Sequence, residues 1–210
     1  MTSKWIRNVR EQQPLTINWR FFSLEEVNLE PGKIHPWERP WSYGWSMLRI
    51  AALLRREDPV LVDRWYALAG FALHEAGLKP HDQSVARELI SELGLDPGLV
   101  DTSMEDPTLD DEIRADHQRV LDAGGFGVPT LIFENGHTLF GPVLIDPPTG
   151  QAALDLWGMV QTAARYPNFF ELQQPKGPTQ MHAITEALKP YLEGRDWKSI
   201  NRGVEVQFDR

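Results

Sequence analysis

The chain has 210 residues, 41% of them hydrophobic and 24% charged, which is enough for one domain, or one domain carrying an insertion, with a true core. A net charge of −9 without any basic cluster excludes nucleic acid and anionic membrane as main partners, because phosphate binding needs gathered cations. The absence of cysteine excludes disulfide scaffolding, thiolate zinc sites and a cysteine nucleophile within these residues.

The first residues, MTSKWIRNVREQQP, contain no apolar stretch of signal-peptide type, and no run of about 18 apolar residues follows, so a cytoplasmic protein is expected. Thr2 or Ser3 is placed to cap a first helix running to about Gln12, with Trp5, Ile6 and Val9 on one face. Leu15–Phe22 alternates Leu15, Ile17, Trp19 and Phe21 and reads as a strand. A loop containing Pro31, Gly32, Pro36 and Pro40 follows. Helices are expected at 41–56, 59–76, 83–93 and 107–123. Asp58-Pro59, Asp96-Pro97 and Asp106-Pro107 each put a capping carboxylate before a proline suited to the first helical position, and Gly77 and Gly94 stand where C-terminal caps belong.

Beyond this helical block comes Phe126–Pro142, FGVPTLIFENGHTLFGP. Asn135-Gly136 between two short apolar runs predicts a hairpin with a type I′ turn, pairing residues 131–134 with 137–140. Pro129 enters the first of these strands, and the local pattern leaves two readings of it. It is a proline at a strand start, or a cis proline beside which something binds. An amphipathic helix is expected over 150–165, and a short helical pattern at 181–192. Gly203–Phe208 alternates like a strand.

Other clusters are bland by pattern. The six histidines show no ligand spacing of the zinc-site kind. Asp110, Asp111, Glu112 and Asp116 with His117 read as a solvated acidic helix N-terminus, not a metal site. Trp37, Trp41, Tyr43 and Trp45 fit a ligand pocket or the core stripe of a helix equally well. His74, beside Leu73, has the spacing of a satisfied buried histidine.

Some stretches carry a resemblance: Gly127-Val128-Pro129-Thr130, Phe140-Gly141-Pro142-Val143-Leu144, and Tyr166-Pro167-Asn168-Phe169-Phe170-Glu171-Leu172, supported by Met1–Ile6 and by Ser23-Leu24 through Asn28. Through them the chain resembles the DsbA family, and more closely its actinobacterial cytoplasmic branch of mycothiol-dependent nitroreductases. The resemblance implies an α/β thioredoxin-like fold with a large helical insertion, its first core strand missing from the chain as given. The core would be 1–36 and 125–172, the insertion 37–124 and a C-terminal tail 173–210. It implies that Val128–Pro129 is cis and that Val128, Pro129 and Thr130 bind the thiol. Asn28, Trp37, Trp45 and His74 would complete the binding residues, in a pocket between the helical block and the first helix, with Trp45, His74 and Pro129 converging on one cleft. Trp37 stands where the family has a tyrosine, so no hydroxyl acts there.

The family's reaction runs on a Cys-Pro-Trp-Cys ahead of the first helix, which would lie upstream of Met1, no catalytic residue being present in this chain. Three explanations stay open. The gene start was set at an internal methionine, which is the expectation; or the chain is a non-catalytic thiol- or protein-binding module; or Gly203–Phe208 supplies the missing strand. No bound cofactor and no metal are expected, with mycothiol as co-substrate alongside an electron acceptor, and a homodimer left open.

Overall fold

A computed structural model describes residues 1–194, which divide into two units; the strand expected at Gly203–Phe208 lies outside the described residues. One unit is formed by Met1–Asn18 with Val120–Lys189, the other by Trp19–Arg119 with the described residues from Pro190 on. Together the elements make an α/β chain, mostly helical among the described residues, with a two-stranded sheet.

In the first unit, α1 (Thr2–Arg10) buries Trp5, Ile6 and Val9 on one face, as their spacing dictates. Its N-cap is Met1 and carries no side-chain bond, so neither Thr2 nor Ser3 caps it. The buried face packs on α8 (Gly150–Ala163), where Trp5 lies at 6.0 Å from Trp157 and donates its indole N–H to the Ala153 carbonyl at 3.1 Å. Strands β1 (Thr130–Ile132) and β2 (Thr138–Phe140) pair antiparallel, Leu131 opposite Leu139.

The hairpin is where it was expected, but its turn is of another kind. Gly136 alone has a positive φ, +81°, and donates to the Phe133 carbonyl at 2.9 Å, while the Phe133 amide donates to the His137 carbonyl. This is a three-residue loop built on a type I turn closed by a left-handed glycine, in place of type I′, which needs both central residues at positive φ. The final turn of α9 (Pro178–Gly194) belongs to the second unit, the rest of that helix to the first.

The second unit gathers α2 (Leu24–Val27), α3 (Trp45–Glu57), α4 (Pro59–His74), α5 (Gln83–Glu92), α6 (Leu99–Glu105) and most of α7 (Thr108–Asp122). Its core holds Phe21, Trp45, Leu54, Trp65, Ile90, Leu109 and Ile113. Asp58 caps α4 by accepting from the Val60 amide at 2.9 Å, with Pro59 at the first helical position, and Asp106 does the same for Thr108 at the head of α7. Gly77 and Gly94 take φ of +64° and +79° after α4 and α5, as C-terminal caps require. Helix α6 was not foreseen as an element, although Asp96 accepts from the Gly98 amide at its approach. Helix α3 starts four residues later than the aromatic spacing indicated, and Pro36–Glu38 forms a separate 3-10 turn.

The strand expected over Leu15–Phe22 is a correction. Alternate residues are shielded, Phe21 completely, yet no ladder forms. Backbone donors on its inner side are taken by side chains of α7: the Phe21 amide donates to Asp116 at 3.3 Å and the Ser23 amide to His117 Nδ1 at 3.2 Å. An extended segment whose donors are satisfied this way has the period of a strand without being one.

Candidate functional site

The loop leading into β1 is set by glycine. Gly124, at φ +76°, ends α7, and a Cβ on Gly125 would fall 2.5 Å from a Val120 methyl, so the chain can turn this closely only without a side chain there. Val128–Pro129 is cis, as is Gly141–Pro142 at the other end of the hairpin. The two are laced together: the Gly141 amide donates to the Pro129 carbonyl at 2.8 Å, the Thr130 hydroxyl to the Gly127 carbonyl at 2.6 Å, and Thr2 of α1 to the Pro142 carbonyl at 2.6 Å. Val128 is half exposed, and its amide and carbonyl take no part in these hairpin bonds. The Phe126 and Phe140 rings lie tilted against each other at 4.6 Å. A thiol-bearing ligand laid against Val128 would therefore find a backbone donor and acceptor that the hairpin does not use, bordered by apolar surface.

The remaining expected residues lie in the second unit. Trp37 stacks on His35 at 4.2 Å, rings nearly parallel at 8°, and stands 5.0 Å from Trp45. Arg114 covers Trp37 at 5.1 Å, within cation–π range. Trp45 itself is 1% exposed and its indole N–H is spent on Asp110 at 2.7 Å, so of the two readings of the aromatic set it takes the core one. Trp41 donates to the His81 carbonyl at 2.6 Å, and the Tyr43 ring lies tilted against His81 at 4.1 Å. Asn28 returns its amide to the Leu24 carbonyl at 2.7 Å, serving α2. His74 is the last residue of α4, its pKa lowered by burial, and its ring stacks on Tyr191 at 5.0 Å. A shallow groove between α4 and α5, lined by Arg64, Leu68, Phe71 and Leu93, contains none of the expected residues.

The acidic run in α7 also needs correcting. It is not a solvated face: Asp110 and Asp116 are buried, and His117 with them. Arg49 donates to Asp110 through Nε at 2.7 Å and through a second nitrogen, with its third on the Met104 carbonyl. Arg55 bridges Asp116 at 2.5 Å and Glu112 at 2.9 Å, and Arg56 binds Glu112 and Asp106. Only Asp111 of that run stays in solvent, beside Arg114. These carboxylates are engaged by arginines, and no group of ligating side chains among the described residues could hold a metal ion. No helix of the described residues is long and apolar enough to cross a membrane.

Sequence reasoning missed Glu25. Its carboxylate accepts from the Gly44 amide at 2.9 Å, the Trp45 amide at 3.0 Å and the Ser42 hydroxyl, and so caps α3 from a distance in place of a local side chain. No spacing rule links positions 19 and 20 residues apart, and the signal was not in the sequence.

Comparison with known proteins gives two findings. Residues 1–174 match the family described as Rv2466c-like, mycothiol-dependent nitroreductase Rv2466c. A protein of Mycobacterium tuberculosis described as uncharacterized protein Rv2286c is 59% identical over 209 residues, spanning the whole of this chain and 90% of that protein.

Proposed function

The chain belongs to the Rv2466c-like family of mycothiol-dependent nitroreductases, and on that premise we propose that it is the ligand-binding frame of a thiol-dependent oxidoreductase of DsbA type. The observation that carries this reading is the family match itself, since residues 1–174 contain every residue assigned to binding. These 210 residues include no cysteine, so the reading requires protein thiolates from a Cys-x-x-Cys that they do not contain. Mycothiol is the co-substrate. The open amide and carbonyl of Val128, with Pro129 and Thr130 behind them, orient its sulfur, while Trp37 and His74, with Trp45 and Asn28 as their supports, form the acceptor-binding set.

The chemistry balances as follows. One cysteine thiolate and the thiol of mycothiol form a mixed disulfide, which a second thiol resolves. Each pair of thiols joined releases two electrons and two protons, and a nitro group that accepts them becomes a nitroso group and water; a disulfide acceptor becomes two thiols. The chain's own residues supply no step of electron transfer. They bind and orient.

A second reading is favoured by the zero cysteine count: a non-catalytic thioredoxin-fold module that binds a thiol or a protein. The test is to read the coding DNA upstream of Met1, produce the extended protein and follow mycothiol-dependent reduction of a nitro compound. Turnover is expected from the extended protein and none from the chain as given. An upstream sequence without an in-frame Cys-x-x-Cys removes the oxidoreductase reading and leaves the binding module.

A further inference from the structure

His74 does not end α4 in open solvent. The glycine that closes this helix, Gly77 at φ +64°, sends the Leu78 amide back to the Ala72 carbonyl at 2.8 Å, and a Cβ placed on Gly77 would stand 3.6 Å from the carbonyl oxygen of Pro190. The last turn of α9 thus passes directly over the end of α4, and the Tyr191 ring lies on the imidazole at 5.0 Å with 29° between planes. Burial lowers the pKa of His74.

The cover is itself only partly buried. In the last turn of α9 Pro190, Tyr191 and Leu192 are each only half-buried. Pro190 sits inside the helix and lacks the amide that would tie this turn to the one before it. Residues 171–176, which lead to the helix, are exposed throughout. Elements with little buried apolar surface open first. The family match ends at residue 174, before α9 begins, whereas the 59% identical relative extends through it.

We propose that Tyr191 is a wall of the His74 site and that the last turn of α9 is a cap that lifts before a ligand reaches the face of the imidazole. The functional meaning of the cap rests on the role given to His74 above. The cap itself is tested without any thiol, by carbethoxylation of the whole chain with diethyl pyrocarbonate, each histidine being read by peptide mass. His182, exposed on α9, is the internal reference. Tyr191→Ala should raise the His74 rate relative to His182 by about two- to ten-fold, the range that one aromatic pair imposes on an opening equilibrium, and Tyr191→Phe should leave it unchanged. An unchanged rate in Tyr191→Ala overturns the cap. Nuclear Overhauser contacts between the two rings in the unsubstituted chain provide a check that needs no variant, and their absence overturns it equally. In the extended, cysteine-bearing protein, a Tyr191→Ala variant with faster labelling and unaltered turnover upholds the cap and takes His74 out of the reaction, which separates failure of the site reading from failure of the cap.

Discussion

Replacing Asp110 by alanine should be among the most damaging single changes in the second unit. Its carboxylate, with 9% of the side chain exposed, answers two donors of Arg49, itself 10% exposed, and the indole N–H of Trp45 at 2.7 Å. Alanine removes the acceptor but leaves a buried guanidinium, with only the Met104 carbonyl, and an indole donor facing the gap. Breaking a buried pair from one side costs about 3–5 kcal/mol, because the remaining charge is uncompensated. For a chain of this size each kcal/mol moves the midpoint by roughly 2–4 °C, so Asp110→Ala should melt about 6–20 °C below the parent. Asp110→Asn keeps one acceptor for Trp45 and should lose less, about 1–3 kcal/mol. The combined Arg49→Met and Asp110→Leu change removes both charges and should recover most of the loss, as apolar replacements of buried pairs do. Urea unfolding followed by tryptophan fluorescence reads all of these. A loss under about 1 kcal/mol in Asp110→Ala, or a double variant no better than the single, would refute the claim that burial and pairing of this carboxylate hold α3 to α7.

Three further outcomes are expected. Glu25→Ala leaves the Gly44 and Trp45 amides without their acceptor and should cost about 1–3 kcal/mol, read as a lower urea midpoint, with Glu25→Gln losing less. His117 is held neutral by burial while its Nδ1 accepts from Ser23, so its folded pKa lies below the unfolded value near 6.5. Protons then bind the unfolded chain first, and stability should fall as pH drops below about 6.5, an effect that urea melts between pH 7.5 and 5.5 should show in the parent and lose in His117→Gln. At lower pH a second decline should follow: burial alone would raise the Glu112 pKa, but hydrogen bonds from Arg55 and Arg56 outweigh it and hold the group below its ordinary value, so its contribution is present above the unfolded carboxylate pKa and disappears on acidification through the folded one. Absence of that second decline in comparison with Glu112→Gln would detach the network from stability.

The helices were legible because their signals are local. Asp58-Pro59 and Gly77 bracket α4, and Trp5, Ile6 and Val9 declare the inner face of α1. The hairpin was legible from Asn135-Gly136, although the turn type was not, since glycine alone supplies the positive φ there. What escaped depends on partners far along the chain. Alternation in Leu15–Phe22 reports shielding on one side but says nothing of who takes the amides, and here Asp116 and His117 do. Carboxylates in the first turns of α7 look the same in sequence whether water or arginine faces them, and Arg49, Arg55 and Arg56 decide it from α3. The stretch from Gly127 to Thr130 was singled out through its resemblance to a family, and its Val128–Pro129 bond is cis as that resemblance implied. Glu25 and Tyr191 were not readable, because each acts across a span that no spacing rule covers.

The central claim is that this chain receives a small thiol at Val128–Thr130, and titration of the isotope-labelled chain with mycothiol, followed through backbone amide resonances, tests it most directly. Saturable shifts are expected, centred on the amides of Gly127, Val128 and Thr130, with those of the Asn135–Gly136 turn unmoved. Saturable shifts centred elsewhere, or none at millimolar thiol, would contradict it.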